Sequence, residues 1–178
     1  MSRTLVLIIV SFLSLSVTTV VYPFVLRYAL RKNIVDNPDA RKLHRHPVPI
    51  LGGVAVYTGI LAGCLAMFFL VPRASISWSI MAMTTMLLMG VWDDIKNLSS
   101  TLRLIVQFGI VGAYMWLTGY YINNLFGLFG IHEISPLIGI PLSLIAGVGT
   151  INAINMIDGV DGYSSGYTVM ASGCFAVL

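Results

Sequence analysis

The feature that most constrains this chain is the length of its uncharged stretches. Apolar residues gather into runs of about 17 to 25, the length an α-helix needs to cross a hydrocarbon core of about 30 Å at 1.5 Å per residue. The runs cover residues 5–26, 50–71, 74–92, 102–121, 136–157 and 163–178. Hydrophobic residues make up 57% of the chain and charged residues 10%, with a mean hydropathy of +0.90, whereas a soluble domain carries about 25% charged residues. In water such a chain would expose more apolar surface than soluble monomers tolerate. The expected fold class is therefore all-α and integral to the membrane, a polytopic bundle of about six spans forming one domain over residues 1–178.

The first run could also be a secretory signal. It has no small-residue cleavage site, and Tyr22, Pro23 and Phe24 lead straight into basic residues, so it reads as a retained span. The sixth run is still apolar at Leu178; helices usually end in a cap or polar flank, so the bundle is expected to continue beyond this residue. No tandem repeat or low-complexity tract stands out. Cys64 and Cys174 fall inside apolar runs, where a small buried hydrophobe is the ordinary role.

The formal charge of +3 does not imply a nucleic-acid partner, because the cations sit in short loops between spans. Arg27, Arg31, Lys32, Arg41, Lys42 and Arg45 lie between the first and second runs, and Lys96 and Arg103 flank the connection between the third and fourth. The positive-inside rule makes these loops cytoplasmic. It puts the N-terminus, the turn at Pro72 and the segment 123–135 outside. Asn37-Pro38 is a good helix start, and a short surface helix is expected over 39–44.

Of seven acids in the chain, Asp93, Asp94, Asp158 and Asp161 fall at the cytoplasmic ends of the third and fifth runs. A carboxylate beside a span is costly unless paired or solvated, so acids there are usually functional; the plainer alternative is ordinary interfacial acids. Asn152, Asn155, Asp158 and Asp161 recur every third residue, and on a helix such a row drifts by about 60° per step and stays on one half of the circumference. Gly159 and Gly162 follow the two acids and would let backbone N–H groups approach a phosphate or base. The Asn amides can donate and accept, which suits a uracil edge or sugar hydroxyls, although Asn is also a common link between membrane helices.

The first cytoplasmic loop adds Arg41, Lys42, His44, Arg45 and His46, then Pro47, Pro49, Gly52 and Gly53. Alone, such a cluster could hold anionic lipid head groups. Beside four carboxylates it suggests phosphates bridged by a divalent cation. His44 and His46 lack the partners of a zinc site, and Mg²⁺ or Mn²⁺ suits the oxygen donors better.

At these residues the chain resembles the polyprenyl-phosphate N-acetylhexosamine-1-phosphate transferases, of glycosyltransferase family 4 type. Three blocks carry the resemblance: Asp36 to His44 with Pro47, Pro49, Gly52 and Gly53; Gly90-Val91-Trp92-Asp93-Asp94; and Asn152-Ala153-Ile154-Asn155-Met156-Ile157-Asp158-Gly159-Val160-Asp161-Gly162. Arg41, Lys42, His44 and Met156 to Gly159 look more like the WecA and TagO branch than the MraY branch, which usually has Thr-Pro before the paired glycines where this chain has Pro49-Ile50-Leu51.

The resemblance implies transfer of N-acetylglucosamine-1-phosphate from UDP-N-acetylglucosamine to undecaprenyl or another polyprenyl phosphate, with release of UMP, to begin a cell-envelope polysaccharide such as lipopolysaccharide or teichoic acid. It implies Mg²⁺ or Mn²⁺, a bacterial inner-membrane location, a cytoplasmic active site, and allows a homodimer. Asp93 and Asp94 would position or deprotonate the lipid phosphate and help hold the metal. Asn152, Asn155, Asp158 and Asp161 would bind the nucleotide side, while Lys42, His44 and Arg103 would counter phosphate charge. Family members have ten or eleven spans, so the main metal ligand and a His-rich loop are expected beyond Leu178, and residues 1–178 alone are expected to be inactive. A transporter fragment or non-catalytic membrane subunit is the alternative; a transporter would place its acids near mid-membrane.

Overall fold

The structure is a computed structural model that describes residues 3–36, 48–70, 76–157 and 163–177. It is built of helices: α1 (Arg3–Arg31), α2 (Gly52–Leu70), α3 (Ile76–Lys96), α4 (Ser100–Thr118), α5 (Pro136–Ile157) and α6 (Tyr163–Val177). Each falls on one of the expected runs. Four of them, α1, α2, α4 and α5, are long and apolar enough to cross a membrane. The other two are not among these: α3 carries Asp93, Asp94 and Lys96 in its last turn, and α6 has 15 residues, about 22 Å of helix. The chain is a multi-pass membrane protein. Its exposed Phe12, Phe68, Leu88 and Ile105 are what lipid-facing positions require.

The helices group into two compact units, one holding α1 to α4 and the other holding α5 and α6. In the first unit α1 and α2 make the closest helix pair, through small residues. Ala55, Gly59 and Gly63 are buried at four-residue spacing on α2. A Cβ at Gly59 would collide with the Thr18 hydroxyl and the Ser14 carbonyl, and one at Gly63 with the Ser14 hydroxyl. Lipid supplies no hydrophobic drive between helices, so close backbone approach of this kind is what holds a membrane pair together. Hydroxyl contacts link the next pairs, Tyr57 with Thr84 between α2 and α3 and Ser79 with Tyr114 at 3.2 Å between α3 and α4.

Two elements were not expected. Strand β1 (Val35–Asp36) pairs antiparallel with β2 (Val48–Pro49), Val35 opposite Pro49 and Asp36 opposite Val48. This ladder follows a left-handed Asn33 (φ 54°) and an Ile34 N–H bond to the Ala29 carbonyl at 2.9 Å. It brings Asp36 beside Val48 at the foot of α1, where Ala29, Pro49 and Leu51 line one small cavity. The expected surface helix over 39–44 and the turn at Pro72 lie outside the described residues.

The second unexpected element lies between α4 and α5. Gly119 (φ 71°) ends α4 by donating its N–H to Met115 O, so Tyr120 and Tyr121 leave the helix expected to reach 121. The chain then forms a hairpin, with a bridge between Asn124 and Glu133 and bonds from Leu125 N to His132 O and from Ile134 N to Asn123 O. Its base lies along α5: Ile122 N donates to Ser143 Oγ at 2.7 Å, and the bare Gly139 backbone admits the Ile122 carbonyl and the Tyr121 ring.

Candidate active site at the α3–α4 corner

The paired aspartates were expected just past a span that ended at 92. Instead α3 continues through them to Lys96, so both carboxylates occupy its last turn. The helix dipole disfavours negative charge there, and the local structure compensates. Asn97 takes the left-handed conformation (φ 51°) that commonly ends a helix. Ser99 caps α4, its side chain accepting the Leu102 N–H at 3.3 Å. Between these two caps the chain reverses within three residues.

The Asp93 carboxylate ties this corner together. One oxygen accepts the Leu98 N–H at 3.1 Å; the other accepts Arg103 Nη1 at 2.9 Å from the first turn of α4. The Asp93 side chain is only 16% exposed and that of Arg103 30%. Thus the cation expected to counter phosphate charge is, in the protein itself, the partner of an aspartate. A charge-assisted bond of this type is both shorter and more directional than a neutral one. Asp94, one residue and about 100° further round the helix, is exposed. The corner therefore distinguishes two carboxylates that look equivalent in the sequence: Asp93 is built into the turn, and Asp94 is presented to its surroundings.

The remaining expected site residues divide in two. Asn152 and Asn155 lie on the last turns of α5 in the second unit. Asn152 Nδ2 donates back to Val148 O at 2.9 Å, while Asn155 is exposed. Lys42, His44, Asp158 and Asp161 lie outside the described residues. Among the described residues no group of three or more His, Cys, Asp or Glu side chains is placed to hold a metal ion. The oxygen donors at the corner are the right type for a hard cation, which commonly uses one or two carboxylates together with substrate phosphates and water. The residues not singled out beforehand are Asn97 and Ser99, which shape the corner. Their signal was available, since Asn just after a helix and Ser just before one are the ordinary caps.

The sequence profile of glycosyl transferase family 4 matches residues 76–178, from the start of α3 through the corner to the end. The chain belongs to this family. It is 32% identical over its whole length to a Bacillus subtilis (strain 168) protein named "Probable undecaprenyl-phosphate N-acetylglucosaminyl 1-phosphate transferase", covering 49% of that protein. It is 30% identical over 90% of its length to the undecaprenyl-phosphate alpha-N-acetylglucosaminyl 1-phosphate transferase of Escherichia coli (strain K12), covering 44%, and 29% identical over 85% of its length to the enzyme of that name from Yersinia pestis, covering 41%. The chain spans about half the length of these curated relatives. No solved structure matches it.

Proposed function

We propose that the complete protein to which this chain belongs transfers N-acetylglucosamine-1-phosphate from UDP-N-acetylglucosamine to undecaprenyl phosphate on the cytoplasmic face of the membrane. The observation that carries this reading is the α3–α4 corner, where a clamped aspartate stands next to an exposed one within the part of the chain that matches the family. The names of its relatives supply the substrates.

In this reaction a P–O bond forms between an oxygen of the lipid phosphate and the phosphorus bearing the sugar. The bond from that phosphorus to the bridging oxygen breaks, and UMP leaves with that oxygen. The exposed Asp94 is suited to accept a proton from the lipid phosphate or to orient it, a role that needs an accessible carboxylate. Asp93 is suited to positioning, because both of its oxygens already accept bonds from the corner. Arg103 then acts through Asp93, fixing the turn on which Asp94 stands. Asn155 at the end of α5 offers an amide for the nucleotide. Mg²⁺ is the cofactor this reading calls for, held by Asp94 among the described residues, and when bound it would supply positive charge to the diphosphate.

The test is UMP release by membranes containing the complete protein, with polyprenyl phosphate, UDP-N-acetylglucosamine and Mg²⁺. Release should depend on both substrates and fall by about 100-fold or more in Asp94→Asn, the scale of a lost general base. Absence of lipid-dependent UMP release from the wild-type protein would overturn the reading.

A further inference from the structure

The hairpin between α4 and α5 has a tip that no catalytic role requires. The tripeptide Leu125-Phe126-Gly127 is doubled there as Leu128-Phe129-Gly130, a unit far shorter than the repeats that build folds, and the two copies fold the same way. Phe126 and Gly127 have φ of 53° and 88°, and Phe129 and Gly130 have φ of 55° and 75°. Each pair is closed by a bond across four residues, Leu128 N to Leu125 O at 2.9 Å and Ile131 N to Leu128 O at 3.1 Å. Positive φ at both central positions defines the type I′ turn, whose first central position is normally Asn, Asp or Gly. Phenylalanine in that slot meets the steric penalty of the left-handed region, and this hairpin accepts it twice. Both rings are then turned outward, Phe126 89% and Phe129 88% exposed.

Three further observations indicate what these rings meet. The first is electrostatic: no charged residue occurs from Tyr120 to Ile131, and the first acid after the tip, Glu133, pairs with Asn124 below the two turns, while the His132 ring lies over Gly127. The second concerns the backbone. The N–H groups of Leu125, Gly127, Leu128, Gly130 and Ile131 all donate to carbonyls of the hairpin, and that of Phe126 to Asn124 Oδ1 at 2.6 Å. Of the tip donors from Leu125 to Ile131 only the Phe129 N–H lacks such a bond, and a loop that satisfies most of its own donors enters a water-poor layer at lower cost than an open one. The third is position. Ile122 is bonded to Ser143, which lies about 10 Å along α5 from Pro136, and α5 from Pro136 to Met156 is a candidate span. The bridge of Asn124 to Glu133 ties the hairpin three residues before Pro136, at most about 11 Å of chain, so its base stays close to the level at which α5 enters the membrane.

We infer that the tip of this hairpin is a lipid anchor, with Phe126 and Phe129 seated in the interfacial layer of the leaflet where α4 ends and α5 begins. Aromatic side chains favour this layer. The anchor fixes the depth of the α5 end and works without any change in the catalytic corner, so it stands apart from the transferase reading.

The experiment uses the complete protein in vesicles of phosphatidylethanolamine and phosphatidylglycerol, with all its native cysteines, Cys64 and Cys174 among them, replaced by serine. Single cysteines replace Phe126 and Phe129 in separate variants, with Asn123 and Glu133 as reference positions, and each carries the same nitroxide spin label. Collision with dissolved oxygen, which concentrates in lipid, is compared with collision with a water-soluble nickel chelate. The anchor predicts a several-fold higher oxygen-to-nickel ratio at both tip positions than at the references. A ratio equal to that of the references places the tip in water and overturns the inference. Low collision with both reagents places it against protein, a second copy or another subunit, and overturns it equally.

Discussion

Helix α4 separates two connectors that solve the same problem in opposite ways. At its start, the α3–α4 corner is short and charged, and side chains hold it: Asp93 gathers Leu98 N–H and Arg103, and Ser99 caps the helix. At its end, the α4–α5 hairpin has an uncharged tip held by the backbone itself. Each departs from the locally cheapest choice. The corner places two carboxylates at a helix C-terminus, against the dipole; the hairpin places two phenylalanines where Asn is preferred. In both connectors the costly residues are held so that a neighbouring or protruding group is exposed, Asp94 in one and the two rings in the other. On the two proposals above, the difference is one of solvent, aqueous substrate at the corner and lipid at the hairpin.

The comparison breaks most visibly if the clamp at the corner is opened. Arg103→Gln leaves Asp93 without its cation, and kcat for UMP release should fall by up to about 100-fold, the scale of a misplaced catalytic group, with KM for the nucleotide little changed. Arg103→Lys should recover part of the rate. Because Arg103 acts through Asp93, the double variant Asp93→Asn with Arg103→Gln should be no slower than Asp93→Asn alone, a non-additivity expected of residues in one network. A Cβ-level change elsewhere in the bundle would not produce that pattern. Independent losses, or a rise in KM with kcat unchanged, would instead put Arg103 on the phosphate.

This contrast also marks what could be read in the sequence. All six helices fall on the apolar runs, because span length is a property of local composition. Their ends moved where a stronger local rule intervened. Helix α3 runs on through Asp93 and Asp94, since neither residue breaks a helix and Asn97 provides the stop; α4 stops early because Gly119 takes the left-handed cap. The acidic pair and Arg103 were legible as neighbours in the chain, but the ion pair that ties Arg103 to Asp93 was not, because it depends on the reversal between Asn97 and Ser99. Nor was the β1–β2 ladder, which pairs Val35 with Pro49 across a segment with no strand pattern of its own. The hairpin did leave a signal, the doubled Leu-Phe-Gly. Phenylalanine in a position that favours Asn hides the turn from any reading based on turn propensity.

At the hairpin the comparable lesion acts on the backbone. Gly127 has φ 88°, and a Cβ there would lie 3.3 Å from the His132 ring. Gly127→Val adds a branched side chain in the left-handed region, a change expected to cost about 2 kcal/mol locally. Amide exchange of Leu125 and Ile131 should accelerate correspondingly, about 30-fold if opening is local, while UMP release stays within about twofold because the corner is untouched. Equal loss of activity would mean that the two connectors are coupled through α4 rather than independent.

The smallest expected effect is a gain. If phenylalanine occupies the I′ turns for what its ring touches and not for what its backbone prefers, then Phe126→Asn or Phe129→Asn should relieve the left-handed penalty and protect the same amides by about 0.5 to 1 kcal/mol each. The same substitutions should lower the oxygen-to-nickel ratio of a spin label placed on Leu128, between the two rings. A tighter turn with weaker lipid contact would separate the stability of the hairpin from its use. A looser turn would show instead that the two rings stabilise the fold directly, and the parallel with the strained but purposeful corner would fail on the hairpin side.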